Sequence, residues 1–319
     1  MWAIMARPIL SAVNLKKVYR EKEALASFSL ALEEGELLCL VGPDGSGKST
    51  ALRLLCGLEK ADDGEIYLFG EKTVRFSPEL RKRIGYMPQS FSLYEDLTVE
   101  ENLEFFHQLY RIADEFLLID ELLELTRLKP FKNRKAKHLS GGMKQKLALA
   151  CTLVHRPDIL LLDEPTTGVD PVSRRDFWQI LFRLLGEGKA IIMATPYLDE
   201  AERASRTAFI LEGRVLACDH PEKLKKIFQG RLLEIISAEN RQLYHHLKGR
   251  PETTGLQILG HRIHLALKEG VDPEALKEKL DREGFKISHF TEIEPSLEDV
   301  FVFLIRRTSG GENETGHRG

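Results

Sequence analysis

Apolar and polar positions along the chain follow patterns that predict strands of two kinds. Continuous apolar runs lie within residues 36–41, 158–165 and 190–195 (ELLCLV, DILLLDEP and AIIMAT). Short runs without alternation are typical of strands buried on both faces of a parallel sheet. Residues 9–18 and 25–32 show alternating character instead, which predicts strands with one buried and one solvated face.

Apolar residues spaced by three and four positions predict amphipathic helices. This spacing runs through residues 99–128, which we expect to form a mostly helical insert, and through residues 173–188, where two glycines end the helix. A further helix is predicted for residues 49–58, after a glycine-rich turn that follows the first buried run. Residues 206–218 are typical of a hairpin that turns at Glu212-Gly213.

The pattern changes around Gln229-Gly230. Strand, helix, strand, helix and strand are predicted in turn up to residue 294, and a last helix follows with Ser296 as N-cap and Asp299 three residues on. We therefore predict a first domain over 1–230, with a helical subdomain at about 90–155, and a C-terminal α+β domain over 231–308. Residues 309–319 have almost nothing to bury, and we expect them to be disordered.

Composition narrows the function classes. The 319 residues carry 46 Lys and Arg against 49 Asp and Glu, a formal net charge of −3. No basic field favours nucleic acid, so no nucleic-acid partner is expected. The four cysteines are scattered without a metal-ligand spacing, as expected of core residues. No apolar run approaches the roughly 20 residues that span a bilayer, and MWAIMARPIL is too short for a signal peptide. We expect any membrane role to come through a partner.

The turn between the first buried run and its helix has the sequence GPDGSGKST and fits the phosphate-binding pattern G-x-x-x-x-G-K-[ST]. Glycines let backbone N–H groups turn toward phosphate oxygens, and the helix N-terminus adds partial positive charge. The lysine is expected to reach the β- and γ-phosphates of ATP, and the serine after it to ligate Mg²⁺. The candidate nucleotide-binding residues of this loop are Gly42, Pro43, Asp44, Gly45, Ser46, Gly47, Lys48, Ser49 and Thr50.

Two acids end the second buried run and supply the other half of such a site. We expect Asp163 to hold the Mg²⁺ ion and Glu164 to act as the base that polarises the attacking water. An isolated Asp-Glu pair would more often start a solvated loop. Its position downstream of the phosphate-binding loop favours the catalytic interpretation.

A third motif, LSGGMKQKLALA, opens a helix and forms a second anion cradle from Ser140, Gly141 and Gly142. Because one subunit does not need two γ-phosphate sites, this cradle is expected to act in trans. With these three motifs the chain resembles the nucleotide-binding subunit of an ABC transporter. The LSGG signature is what distinguishes that family from other P-loop ATPases.

The resemblance assigns further residues. Tyr19 stands where the family has the aromatic residue that stacks on adenine, and Gln89 matches the loop glutamine that touches Mg²⁺ or water and couples to the membrane subunit. Gln89 is therefore placed with Lys48 and Glu164 among the catalytic residues. Asp170 matches the loop that crosses the dimer interface, although Val169 stands before it where the family usually has leucine.

One position departs from the family. A histidine that contacts the γ-phosphate is expected after the third buried strand, where this chain has Pro196. Proline has neither a side-chain donor nor a backbone N–H. The substitution predicts slow hydrolysis at this subunit's own site and a second, non-identical ATPase subunit as partner. A head-to-tail dimer of the chain with itself is the alternative.

The resemblance implies a P-loop α/β core with a flanking antiparallel sheet, a helical subdomain and a small C-terminal α+β domain. It also implies ATP and Mg²⁺ as ligands, integral-membrane permease subunits as partners, and a peripheral position at the cytoplasmic face of the inner membrane. The ending EPSLEDVFVFLIRR is similar to the C-terminal extension of type-2 ABC exporters, which move drugs, lipids or polysaccharides. An importer subunit and a soluble ABC ATPase without a transporter are the alternatives.

Overall fold

The computed structural model describes residues 8–90, 93–110 and 115–311, with the side chains of 115–117 and 309–311 also left out. The described chain divides into two compact units, the first ending at Asp219 and the second beginning at His220. This division precedes the predicted boundary near residue 230, because a short helix at Pro221–Lys225 packs on the last helix of the second unit. The predicted disordered tail lies outside the described residues except for 309–311, which end that last helix.

The first unit contains ten strands and seven α-helices within the described residues. Its strands are β1 Leu10–Tyr19, β2 Lys22–Leu32, β3 Leu37–Val41, β4 Asp63–Leu68, β5 Glu71–Lys72, β6 Ile84–Met87, β7 Ile159–Asp163, β8 Ala190–Thr195, β9 Arg206–Leu211 and β10 Arg214–Asp219. Its helices are α1 Lys48–Leu55, α2 Pro78–Lys82, α3 Val99–Tyr110, α4 Glu115–Leu125, α5 Gly141–Leu153, α6 Pro171–Gly186 and α7 Leu198–Ala201.

The strands of the first unit form one sheet in the order β5-β4-β1-β2-β10-β9-β3-β8-β7-β6. Strands β3, β8, β7 and β6 pair in parallel, whereas β5, β4, β1 and β2 pair antiparallel. Every residue of β3, β7 and β8 is buried, so the prediction of strands covered on both faces is confirmed. Because these strands are parallel, the loops that follow their carboxyl ends meet at one edge of the sheet.

The helices α3, α4 and α5 form the helical part of the first unit. The segment 127–138 (RLKPFKNRKAKH) is strongly basic in sequence, and three of its four lysines pair with acidic neighbours in the structure. Its ion pairs are Lys129 with Asp120 and Glu124 (2.9 and 2.8 Å), Lys132 with Glu100 (3.0 Å) and Lys137 with Asp96 (2.7 Å). These acidic partners neutralise much of the positive charge that an approach surface for phosphates or lipid headgroups would need.

The second unit is built on a four-stranded antiparallel sheet in the order β12-β13-β11-β14. The apolar pattern of residues 257–267 (QILGHRIHLAL) predicts the second of the three strands expected in this unit, but that prediction is wrong: the chain turns back at Gly260-His261 and forms two strands. Gly260 has a φ of 61°, which this tight turn requires. The elements are α8 Pro221–Lys225, β11 Arg231–Ser237, α9 Asn240–Leu247, β12 Thr253–Leu259, β13 Arg262–Leu267, α10 Pro273–Arg282, β14 Ile287–Ile293 and α11 Leu297–Gly311.

The start of α11 confirms the predicted cap and adds a partner to it. The Asp299 carboxylate accepts hydrogen bonds from the backbone N–H and the hydroxyl of Ser296 (2.9 and 2.6 Å), and the Ser296 Oγ accepts the Asp299 N–H (3.2 Å). The other oxygen of Asp299 lies 2.7 Å from His264 Nδ1 in β13. Asp299 is 1% exposed, so this contact ties the helix start to the sheet through a buried charged hydrogen bond.

We expect Asp299→Asn to lower the free energy of unfolding by about 2 kcal/mol, because it removes a charge-assisted hydrogen bond from a buried site. The hydrogen bond to Asp299 raises the pKa of His264. Stability from a raised histidine pKa is complete below the unfolded value of about 6.5 and is lost as pH rises through the folded pKa. The difference between wild type and variant in urea denaturation should therefore shrink at alkaline pH.

The neighbouring Glu298→Gln is the matched control, because Glu298 is exposed. It should unfold within about 0.5 kcal/mol of wild type at every pH, as surface substitutions do. A pH-independent loss in Asp299→Asn equal to that in Glu298→Gln would contradict the assigned ion pair.

Candidate functional site

At two of its glycines, the loop between β3 and α1 approaches its neighbours too closely for a side chain. A Cβ at Gly42 would lie 2.2 Å from the carbonyl oxygen of Ile210, and one at Gly47 would lie 2.6 Å from that of Ala24. Gly47 also has a φ of 107° and Gly45 a φ of 77°, conformations that favour glycine. The predicted glycines are thus required by the fold of the loop, which leads directly into the N-terminus of α1.

Lys48 is the first residue of α1 and is 4% exposed. Its Nζ donates hydrogen bonds to the carbonyl oxygens of Gly42 (2.8 Å) and Pro43 (3.1 Å). The same Nζ lies 3.6 Å from Glu164 Oε1, so the buried ammonium has an opposite charge beside it. The structure therefore joins the phosphate-binding loop to the acid that ends β7.

Asp163, the last residue of β7, is 1% exposed. Its Oδ1 accepts a hydrogen bond from Ser49 Oγ at 3.0 Å, and its Oδ2 accepts one from the Tyr86 hydroxyl at 3.4 Å. Burial raises the pKa of Asp163 and the neighbouring charge of Glu164 adds to the rise, whereas the Ser49 hydrogen bond lowers it. A hydroxyl and a carboxylate oxygen within one hydrogen bond of each other match the hard-oxygen donors that Mg²⁺ prefers.

Glu164 follows β7 with a left-handed φ of 49° and is 7% exposed. Its Oε2 accepts hydrogen bonds from Gln89 Nε2 at 2.9 Å and from Thr167 Oγ1 at 3.3 Å. Its backbone N–H donates to the carbonyl of Ala194 in β8 at 2.9 Å. The three residues predicted as catalytic, Lys48, Glu164 and Gln89, therefore meet in one cluster.

A cavity of about 480 Å³ opens over this cluster. It reaches from Tyr19, which is 39% exposed and whose hydroxyl donates to Glu59, to the side chains of Gln89 and Glu164. Ser46 in the loop is 3% exposed, and its Oγ has no hydrogen-bond partner within the described part of the chain. The cavity is lined by Tyr19, Lys22, Ala24, Asp44, Gly45, Gly47, Lys48, Ser49, Thr50, Gln89 and Glu164.

The signature residues lie outside the set that lines this cavity. Ser140 caps α5 by accepting the Met143 N–H at 3.3 Å, and Ser140 and Gly141 are exposed. Gly142 is buried, and a Cβ there would lie 2.3 Å from the Cβ of Ser173 in α6. One chain therefore does not bring the signature and the phosphate-binding loop to a common pocket.

Asp170 caps the adjacent helix, α6. Its Oδ1 accepts hydrogen bonds from the N–H groups of Val172 (3.0 Å) and Ser173 (2.9 Å). Hydrogen bonds, of which the one from the Ser173 side chain has the largest effect, lower the pKa of Asp170. The carboxylate is exposed. The predicted interface residue thus shapes the start of α6, which packs against the signature at Gly142.

Pro196 follows the last residue of β8. Because Asp163 pairs with Ala194 across the two parallel strands, Pro196 lies at the same edge of the sheet as Glu164. Thr195 beside it is fully buried, donates to Glu200 Oε2 at 2.7 Å and accepts the Tyr197 N–H at 3.1 Å. The position that the resemblance assigns to a histidine is at the correct edge, and its residue offers no donor.

Sequence reasoning missed four residues around the cluster. Tyr86 lies in the short strand β6, and Thr167 and Lys22 carry no motif of their own. Glu200 is a fully buried acid between two threonine hydroxyls. The available signals were a lysine three residues after Tyr19, a threonine pair after Asp-Glu-Pro, and an acid four residues after Pro196.

The comparisons with known families match most of the chain in two parts. Residues 25–167 match the ABC transporter family. Residues 220–305 match a family described as "ATP-binding protein DrrA1-3-like, C-terminal domain". The second match begins where the second structural unit begins.

Curated relatives are similar over nearly the whole chain. The probable multidrug ABC transporter ATP-binding protein YbhF of Escherichia coli is 40% identical over 93% of this chain, which spans about half of that relative's length (51%). The daunorubicin resistance ATP-binding protein DrrA2 of Streptomyces coeruleorubidus is 36% identical over 96% of this chain and 95% of its own. A Nod factor export ATP-binding protein I of Burkholderia thailandensis is 37% identical over 92% and 96%.

Solved structures similar to this chain include ATP-binding cassettes. The cassette MJ0796, in a dimeric post-hydrolysis state bound to ADP and Pi, is 31% identical with a TM-score of 0.61, over 66% of this chain and 98% of its own. The cbiO1 protein of Clostridium perfringens, part of the transporter complex cbiONQ, is 27% identical with a TM-score of 0.64, over 68% and 90%. The predicted fold class is confirmed.

Proposed function

Because the chain belongs to the family of ABC transporter ATP-binding proteins, we propose that it binds and hydrolyses ATP to power transport through separate membrane subunits. The observation that carries this proposal is the cluster in which Lys48, Ser49, Asp163, Glu164 and Gln89 meet under one cavity. A phosphate-binding lysine beside a candidate base, with two hard-oxygen groups adjacent, is the arrangement that phosphoryl transfer to water needs.

The residues that line the cavity suit the chemistry of ATP. The glycine-rich backbone of Gly45 and Gly47 lines one end with the cations Lys48 and Lys22, a combination that suits a polyphosphate. Tyr19 also lines the cavity and is exposed, and an exposed aromatic ring stacks readily on a nucleotide base. Tyr19 is therefore proposed to hold the adenine.

Mg²⁺ suits the donor set of Ser49, Asp163 and Gln89, which presents hydroxyl, carboxylate and carboxamide oxygens. When bound, the ion would neutralise charge that develops on the β- and γ-phosphate oxygens. The hydrogen bond between Ser49 and Asp163 already holds two of these donors at 3.0 Å.

Hydrolysis assigns one role to each remaining side chain. Glu164 accepts a proton from the attacking water, whose oxygen bonds to the γ-phosphorus as the bond to the β,γ-bridging oxygen breaks, leaving ADP and phosphate. Gln89 and Thr167 donate to Oε2 of Glu164 and orient the carboxylate. Lys48 stabilises the phosphoryl oxygens as negative charge shifts toward ADP.

The exposed signature face is proposed to complete the site of a second subunit. Ser140 and Gly141 stand at the N-terminus of α5, a 13-residue helix whose end favours anions. In this proposal Asp170 would lie at the interface between the two subunits. Pro196, which stands in place of the expected histidine, favours a non-identical ATPase partner. In such a pair, ATP between the subunits would drive closure, and hydrolysis would reset it.

The relatives' names support export as the direction. They are a probable multidrug transporter protein, a daunorubicin resistance protein and Nod factor export proteins. We propose that this chain energises outward movement of a drug-like, lipid or saccharide compound, from the cytoplasmic face of the inner membrane. No helix in the described part of the chain is long and apolar enough to cross a bilayer, so the proposal assigns passage to separate permease subunits.

Ser49→Ala tests the metal-dependent part of the site. The variant loses a metal ligand and the hydrogen bond to Asp163, so we expect it to bind ATP in the presence of Mg²⁺ about tenfold more weakly, a loss near 1.4 kcal/mol. Equilibrium binding of a fluorescent ATP analogue, with Mg²⁺ and with excess EDTA, measures the effect. The gap between variant and wild type should close in EDTA.

Ser205→Ala is the matched control, because Ser205 Oγ accepts the Leu37 N–H at the far end of the same core. It should bind as wild type does. A wild-type chain that binds no ATP with Mg²⁺ would overturn the proposed function. Co-purification with a multi-span membrane protein from the native membrane tests the transport assignment separately.

A further inference from the structure

A fully buried carboxylate joins the two loops that carry the chemistry. Glu200 in α7 is 0% exposed. Its Oε1 accepts a hydrogen bond from Thr166 Oγ1 at 2.6 Å, and its Oε2 accepts one from Thr195 Oγ1 at 2.7 Å. Thr166 comes two residues after Glu164, and Thr195 comes directly before Pro196. One side chain therefore connects the segment of the candidate base to the segment of the missing histidine.

The hydroxyl of Thr195 can be used in only one way here. Its oxygen accepts the Tyr197 N–H at 3.1 Å, and its single proton goes to Glu200. The Glu164 N–H donates to the Ala194 carbonyl at 2.9 Å, so a backbone bond joins the same two loops. Beyond the pairing of β7 with β8, one backbone bond and one two-armed carboxylate bridge therefore hold the two loops together.

The bridge also extends to a third element through Arg174 in α6. Arg174 Nε lies 3.6 Å from Glu200 Oε1, and the guanidinium lies 4.6 Å from the ring centroid of Tyr197. The helix that carries Arg174 begins at the cap Asp170 and packs on the signature through Ser173. Glu200 therefore contacts the two loops that follow β7 and β8 through its threonine partners, and it contacts α6, the helix of the proposed interface, through Arg174.

Stability alone is a weak reason for such a bridge. A buried ion pair costs desolvation that well-packed apolar residues would avoid, and replacing one by apolar residues is often neutral or stabilising. Two short hydroxyl bonds to one carboxylate, by contrast, specify a single geometry. This favours a positional role over a purely energetic one.

We propose that Glu200 is a positioning residue that fixes Glu164 and residue 196 in one arrangement and couples it to the start of α6. The inference rests on the proposed function, since it concerns the same hydrolytic site. Glu200 touches no substrate; it acts through Thr166, Thr195 and Arg174.

Thr166→Val tests the bridge with the least disturbance, because it removes one hydroxyl and keeps the side-chain shape. We expect kcat for ATP hydrolysis to fall about tenfold while KM stays within about twofold, as for a group that acts only in the transition state. Thr207→Val is the matched control. Thr207 is equally buried, and its hydroxyl donates to the Ala201 carbonyl at 2.9 Å, outside the bridge.

Steady-state phosphate release is measured for Thr166→Val and Thr207→Val, each as a single substitution and each combined with Pro196→His. Thermal melting of both variants should shift by similar amounts, which separates lost stability from lost positioning. In the Pro196→His background, Thr166→Val should remove most of the gain that the histidine confers. Thr195→Val gives the same readout from the other arm, and Glu200→Gln should show no further loss when Thr166→Val is already present.

Equal kcat values for Thr166→Val and Thr207→Val would overturn the inference while leaving the proposed function intact. A wild-type chain and a Pro196→His variant that both fail to bind or hydrolyse ATP would instead overturn the proposed function. A raised KM with unchanged kcat in Thr166→Val would also count against positioning, because it would indicate a contribution to binding alone.

Discussion

Glu164→Gln should lower ATP turnover by at least about 10²-fold while ATP stays bound, because positioned general bases contribute roughly 10²–10⁴-fold to such reactions. The substitution keeps the volume of the side chain and an oxygen that can accept from Gln89 and Thr167. It removes the proton acceptor and the charge 3.6 Å from Lys48 Nζ. Phosphate release at saturating ATP with Mg²⁺, together with equilibrium binding of ATP, measures both parts of the expectation.

Glu187→Gln serves as its control, because Glu187 is exposed just after α6, where it pairs with Arg183. It should hydrolyse ATP at the wild-type rate. Retention of more than about a tenth of wild-type turnover in Glu164→Gln would show that another group accepts the proton. Loss of binding in the variant would show that Glu164 acts mainly by holding Lys48.

Pro196→His should raise the turnover of the purified chain by about 10²-fold, since one donor to transition-state charge is worth roughly 10²–10³-fold. The position lies at the carboxyl edge of β8, next to the strand that ends in Asp163. An imidazole there would supply a donor and restore a backbone N–H. The affinity for ATP should change little, because the contact forms mainly as charge moves during the reaction.

Pro196→Ala separates the two effects of that substitution. It relieves the proline restriction without adding a side-chain donor, and it should leave turnover near wild type. If the wild-type chain already hydrolyses ATP as fast as Pro196→His, the idea of a degenerate site in a non-identical pair is wrong. If Pro196→Ala matches Pro196→His, the proline ring and not the lost imidazole limits the rate.

Much of the core was predictable because the local pattern and the tertiary environment agree. The runs that became β3, β7 and β8 are apolar throughout and are buried throughout. The cluster of Lys48, Asp163 and Glu164 followed from their positions at or after the ends of parallel strands, because such ends meet at one edge of the sheet. Motif spacing therefore carried three-dimensional information in this part of the chain.

Other features could not be derived, because they depend on partners distant in the sequence. The four residues of β6 contain a glycine and a tyrosine and give little periodicity, yet β6 brings Tyr86 to Asp163. The turn at Gly260 sits inside an apolar stretch that reads as one strand. The Glu200 bridge spans 34 residues to Thr166, and nothing in its neighbourhood marks it as buried.

The close approach at Gly142 bears on how variation among related sequences should be interpreted. Any side chain at residue 142 would collide with Ser173 of the same subunit, because its Cβ would lie 2.3 Å from the Cβ of Ser173. Invariance of this glycine through evolution would therefore record packing within one chain, whether or not a second subunit's nucleotide ever touches it. Gly141 is different, because a Cβ at this position would lie 3.8 Å from the carbonyl oxygen of Gly168, which is an ordinary van der Waals contact. Because packing within the chain does not require glycine at 141, selection that keeps glycine there would indicate more directly that a molecule binds across the interface.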